Sequence, residues 1–186
     1  RQTIRRVVFR PLQHPSADCG THKNPPGFVM KKQAVIKKLK DVRTKFVRFI
    51  ESVPEHQWDE VFLGTWCLRD LVAHLIGWDM ENAKSVQEIL EGKLPRCFDY
   101  WDENWVSYND ILVKRYKRGG KKELLGAMGH SHIAYVTQLE NIPDELFDKD
   151  IGLRWKNYVL TPAVNAEYET QDEEMHTDQI SRWLRS

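Results

Sequence analysis

Leu68–Leu90 reads LRDLVAHLIGWDMENAKSVQEIL, and its apolar residues decide the fold. Leu68, Leu71, Val72, Leu75 and Ile76 recur at three- and four-residue steps, and Val86, Ile89 and Leu90 resume the pattern. That spacing is one face of an amphipathic helix. Gly92 and Pro95 close it. Upstream, Ile36, Leu39, Val42, Phe46, Phe49, Ile50 and Val53 trace a second helical face, ended by Pro54. Downstream, a loop holds Cys97, Phe98, Tyr100 and Trp101. A third helical stretch starts near Asn104 and carries Trp105, Tyr108, Ile111 and Leu112. Gly119-Gly120 interrupts it; residues 121–141 resume with Leu124, Leu125, Met128, Ile133, Val136 and Leu139 and stop at Pro143. Residues 144–160 read as irregular, with an aromatic patch at Trp155 and Tyr158. Thr161-Pro162 then supplies an N-cap residue and a proline at the first helical position, opening a last helix that runs to about Leu184. No useful length of strand-like alternation occurs. The expectation is an all-α, four-helix bundle.

Composition narrows the class. The chain has 186 residues, enough for one domain, and 41% are apolar, enough for a sizeable core. Charged residues make up 30% and nearly cancel, at a net +1, which argues against a nucleic-acid or membrane-surface binder. No apolar run approaches the roughly 20 residues that span a bilayer. Cys19, Cys67 and Cys97 are an odd set with no close pairing, so they frame neither disulfides nor a CxxC metal pair, and a reducing cytoplasm is the expected setting.

Charge and proline are concentrated at the start. Residues 1–29 hold five Lys or Arg against one acidic residue, leaving the remainder at −3, and they hold Pro11, Pro15, Pro25 and Pro26. A basic, acid-poor start resembles a transit peptide, but the prolines interrupt any amphipathic helix. The reading is an irregular, disordered or loosely packed extension over 1–29, with the bundle over 30–186 and the natural start open between residue 1 and Met30.

The last helix carries the candidate chemistry. Stepping ~100° per residue from Tyr168 places Asp172, Met175, His176, Gln179 and Trp183 within an arc of ~120°, with Ile180 at its edge. Thr170, Glu173, Glu174, Thr177 and Arg185 fall opposite. Asp172 thus sits mid-stripe on the expected core face, and His176 follows one turn later. A buried carboxylate costs several kcal/mol unless it is compensated. An oxygen and an imidazole at i, i+4 are a common half of a metal site. The same two residues could equally form a hydrogen-bonded pair. On the second helix His74 lies at the margin of the apolar arc, where it can reach a bundle cavity. Trp78, Tyr168 and Gln179 neighbour these positions, with packing as their ordinary role. His130 and His132 point to different faces and read as surface or boundary residues.

Trp66-Cys67-Leu68-Arg69-Asp70-Leu71-Val72-Ala73-His74-Leu75-Ile76-Gly77-Trp78-Asp79 resembles the W-x-x-x-D-L-x-A-H-L-x-G-W segment of the DinB/DfsB-like superfamily. That group includes ClbS-type colibactin-resistance proteins and thiol-dependent transferases. His176 to Leu184 resembles its terminal H-x-x-Q-I-x-x-W-L, and Ile142-Pro143-Asp144-Glu145-Leu146 its I-P-x-E-x-L turn. The resemblance spans about residues 31–184. It implies a four-helix bundle, often a homodimer, with a divalent metal on three histidines. His74 and His176 match two of them; Asp172 replaces the third. Carboxylate oxygen still ligates zinc, nickel, manganese or iron. The ClbS-like branch is thought to work without metal.

Two function classes follow from the resemblance. One is a metal-dependent thiol transferase or hydrolase acting on a small electrophilic molecule, in a stress or self-resistance role. The other is a non-catalytic bundle that sequesters a small-molecule ligand. There is no G-x-S-x-G and no phosphate loop. Cys67 precedes the second helix, where a thiolate could be stabilised, but a packing role is favoured.

Overall fold

A computed structural model describes residues 32–100 and 105–186. The expected extension over 1–29, Met30, Trp101 and Asn104 lie outside the described residues. The elements in chain order are α1 (Lys32–Glu51), β1 (Val61–Leu63), β2 (Trp66–Cys67), α2 (Leu68–Leu90), α3 (Trp105–Tyr116), α4 (Lys121–Glu140), α5 (Asp144–Phe147), β3 (Arg154–Trp155), β4 (Tyr158–Val159) and α6 (Pro162–Trp183). The all-α expectation holds. β1 pairs antiparallel with β2 and β3 with β4, so the only sheets among the described residues are two small hairpins. The segment read as irregular over 144–160 therefore contains a helical turn and a hairpin, both too short to leave a periodic signature.

Local signals set the helix ends. The backbone N–H of Cys67 donates to Asp70 Oδ2 at 3.0 Å, a capping box that starts α2. Gly92, at φ +73°, ends it: Gly92 N–H reaches Ile89 O and Lys93 N–H reaches Glu88 O, the two bonds of a Schellman turn. Thr161 Oγ1 accepts from Val164 N–H at 3.1 Å, with Pro162 at the first position of α6, as the sequence predicts.

Helices α1, α2, α4 and α6 form the bundle. One apolar block joins Phe46 and Ile50 of α1, Leu71 and Leu75 of α2, Leu124 and Met128 of α4 and Ile180 of α6. A second joins Val35 and Leu39, Val86, Tyr135 and Leu139, and Ala163 and Ala166 of the same four helices. The order of these residues makes α1 and α6 parallel, with α2 and α4 running against them. Helix α3 returns the chain along α2, which is why α4 starts at the same end as α2. It comes close because of Gly77: a Cβ there would stand 2.7 Å from Leu112 Cβ. Helix α2 is enclosed on every side. All nine residues from Leu71 to Asp79 are buried, and only Lys84 and Gln87 of the helix are fully exposed.

Between the two apolar blocks lies a polar waist. Arg43 of α1 donates from Nη1 and Nη2 to Asp79 of α2 at 2.8 and 3.0 Å, and from Nε to Glu173 of α6 at 2.5 Å. Ser131 Oγ of α4 donates to Asp79 Oδ2 at 2.6 Å. Asn82 Nδ2 donates to Glu169 Oε2 at 2.6 Å. All six residues are buried.

The waist corrects the helical wheel of α6. Its buried residues are Pro162, Ala163, Ala166, Glu169, Thr170, Glu173, His176 and Ile180. The core face is rotated by roughly 100°, one residue, from the expected stripe. Thr170 and Glu173, expected outside, are inside; Tyr168, Asp172, Met175, Gln179 and Trp183 are half-buried. The reason is Arg43. With a guanidinium waiting inside, acidic side chains point inward, while Trp183 stacks on Phe62 at the flank with ring centroids 4.6 Å apart.

Candidate functional site

His74, Asp172 and His176 come together from α2 and α6. One ligand atom from each lies within 4.8 Å of the other two, the one such group of His, Cys, Asp or Glu among the described residues. Asp172 Oδ2 is 3.3 Å from His176 Nε2 and 3.6 Å from His74 Nε2. The two imidazole rings meet edge-on, with centroids 5.3 Å apart. Two sequence expectations shift. His74 is buried rather than marginal, because α2 has no open side, and Asp172 is at the edge of the core, its side chain 23% exposed.

The wall around the group is aromatic. Trp66 and Trp78 stand 5.1 and 6.3 Å from the His74 ring. Trp78 donates from Nε1 to Asn109 Oδ1 of α3 at 3.0 Å and packs against Trp105 and Tyr108. Gln179 is adjacent as expected, its Oε1 2.7 Å from His176 Nδ1. Tyr168 is half-buried one turn before Asp172; burial, Tyr158 and Glu167 push its hydroxyl pKa up.

Electrostatics fix the protonation states. Burial by itself would raise the Asp172 pKa, but the two histidines outweigh it and hold the carboxyl well below the usual carboxylate range. Burial lowers the pKa of His74 against the pull of Asp172, so its imidazole stays neutral. For His176 burial acts in the same direction, but Asp172, Gln179 and Glu173 overcome it and the pKa rises.

The donor set fits a divalent cation. His176 Nε2, the nitrogen that faces Asp172, is buried without a hydrogen-bond partner. Gln179 Oε1 accepts the Nδ1–H of His176, so Nε2, which faces Asp172, is the nitrogen that binds once its proton leaves. Two imidazoles and a carboxylate are an ordinary ligand set for zinc, iron, manganese or nickel. The convergence equally suits a charged Asp172–His176 pair within α6, with the neutral His74 of α2 packed against it.

Other expectations resolve separately. Cys67 is buried, and burial followed by Asp70 pushes its thiol pKa up, consistent with packing. His130 is exposed, but His132 is buried rather than at the surface, with Nδ1 3.9 Å from Asp79 Oδ1. Asn109 and the residues of the polar waist were missed. A signal existed for Arg43, which shares the apolar face of α1 with Leu39, Val42 and Phe46, and for Asp79, which closes the apolar run of α2.

No helix among the described residues is long and apolar enough to cross a membrane. No protein family and no curated protein matches the chain. Its fold is similar to that of an uncharacterised protein from Escherichia coli UTI89, at 16% identity and a TM-score of 0.66 over 83% of this chain and 93% of that one. It is also similar to a protein from Streptococcus pneumoniae, at 12% identity and a TM-score of 0.65 over 84% and 91%. At these identities the likeness establishes a shared fold.

Proposed function

We propose that this chain is a metal-dependent enzyme of the DinB/DfsB-like kind, which transfers a thiol to, or hydrolyses, a small electrophilic molecule. The observation that carries the reading is the meeting of His74, Asp172 and His176, with a buried and unpartnered Nε2 on His176. The motif around His74 and the terminal motif from His176 support the class of reaction. A divalent cation held by these three residues supplies Lewis acidity that makes water or a thiol nucleophilic near neutral pH.

The residues divide the work. Asp172 contributes the anionic ligand and stays ionised. His74 offers a neutral lone pair. His176 must shed its proton to join them, and Gln179 holds the proton that remains on Nδ1. The rings of Trp66 and Trp78 limit water on the α2 side. Asp172, the one partly exposed side chain of the three, marks the side from which substrate would approach the group.

Metal analysis of protein never exposed to chelator tests this. The expected result is about one divalent ion per chain, lost in His74→Ala, Asp172→Ala and His176→Ala with helical content kept. Unchanged metal content in all three variants defeats the metal reading, and a metal-free wild type favours the sequestering bundle.

A further inference from the structure

The polar waist has more negative than positive charge. Three carboxylates, Asp79, Glu169 and Glu173, face one guanidinium, and all four groups are buried. Arg43 serves them unequally. Asp79 receives two of its N–H groups together with the Ser131 hydroxyl, and Glu173 receives the third. Glu169 receives none: its nearest approach to Arg43 is 4.0 Å, and its one hydrogen bond is to the neutral amide of Asn82. Its Oε1 is buried with no partner, and so is Oε2 of Glu173. These two side chains are one helical turn apart on the same face of α6. An unpaired buried carboxylate neutralises instead of remaining charged.

We propose that Glu169 is a buried carboxylic acid at neutral pH and that this acid is a pH-sensitive latch between α2 and α6. It rests on the waist alone and not on any metal. The groups around Glu169 agree. From α1 there is Arg43, already engaged by two other carboxylates. From α2 come Asp79 and Asn82. From α4 come Ser131, His132 and Tyr135; burial lowers the pKa of His132, so it adds no positive charge. Tyr135 gives its hydroxyl proton to Asn165 at 2.7 Å, and Asn165 Nδ2 bonds Asn82 Oδ1 at 3.0 Å. From α6 itself come Asp172 and Glu173. Burial, then Asp79 and Asp172, push the Glu169 pKa well above the carboxylate range. When the acid ionises, a second unpaired charge enters the waist and the contact between α2 and α6 loosens, at the two helices that carry His74 and Asp172.

In the folded chain Glu169 keeps a proton that the unfolded chain has released above about pH 4.5. Stability therefore falls as pH rises, and the fall ends once the folded acid itself ionises. The experiment is denaturant unfolding of the full, metal-free chain from pH 5.5 to 9, wild type against Glu169→Gln. The unfolding constants of the two are expected to diverge by about tenfold per pH unit, the variant gaining on the wild type as pH rises. Parallel curves overturn the proposal. Infrared spectra of glutamate-labelled protein at pH 7 decide independently of whether the variant folds well. An un-ionised carboxyl stretch is expected in wild type and in Glu173→Gln, and its absence from wild type overturns the proposal. A stretch of undiminished intensity in Glu169→Gln does the same, since Glu173, pushed up to about 7 by burial, supplies only part of it.

Discussion

Gln179 lies one turn beyond His176 on α6, with its Oε1 2.7 Å from the imidazole Nδ1. The amide oxygen accepts the N–H at Nδ1 and thereby leaves Nε2 as the nitrogen of His176 that gives up its proton to offer a lone pair.

Gln179→Leu removes that acceptor while keeping the bulk. Metal affinity is expected to fall by roughly 10- to 100-fold, with thermal stability of the metal-free chain little changed. Competition against a chromophoric chelator measures it. Equal affinities would mean that Gln179 does not orient the ligand.

Asp172 and His176 make a charged pair in the metal-free chain, and its contribution has a pH window. The lowered Asp172 pKa gives stability above about pH 4 that is lost as pH falls through its folded value. The raised His176 pKa gives stability below about pH 6.5 that is lost as pH rises through its folded value. Asp172→Asn is therefore expected to cost most near pH 5.5, roughly 1 to 3 kcal/mol, and less at pH 9. Urea unfolding in chelator at the two pH values checks the sign.

Arg43 is the one guanidinium among the described residues that meets both Asp79 and Glu173. Arg43→Leu leaves two buried carboxylates without a cation, and a loss of about 3 to 5 kcal/mol is expected. Arg43→Lys keeps the charge but not the fork that grips Asp79 through two nitrogens, so it should recover only part of the loss. Thermal unfolding at pH 7 ranks the three proteins.

Gly77 has no room for a side chain. A Cβ at 2.7 Å from Leu112 Cβ meets the root of a buried residue, which cannot swing away. Gly77→Ala is expected to cost about 1 to 3 kcal/mol, outweighing a gain in helix propensity of about 1 kcal/mol. Combined with Leu112→Gly, which removes the clashing Cβ, the two losses should fall short of their sum, because the added methyl fills space that the truncation opens. A double-mutant cycle by denaturant unfolding tests this.

The sequence disclosed the helices well because their boundaries are chemical: Asp70 after Cys67, Gly92 after α2, Thr161-Pro162 before α6. It also brought His74, Asp172 and His176 into one question. It misled on the inward face of α6, since a wheel that counts glutamate as an outside residue has no means of knowing that Arg43 waits opposite. Glu169 and Glu173 are inside only because α1 and α2 meet them with polar groups, a relation between helices that no periodicity within one helix contains. The small hairpins were illegible for a different reason: strands of two or three residues do not repeat often enough to show a period.

Helix α2 touches neighbours on all sides, with nine consecutive residues shut from water. Neither the α1–α3 portion nor the α4–α6 portion can therefore stand as a smaller version of the whole, for the first leaves part of that helix uncovered and the second lacks it. The chain is indivisible in a practical sense. Cut at the loop near residue 119, it should yield two fragments that stay unfolded apart and recover the bundle only when mixed.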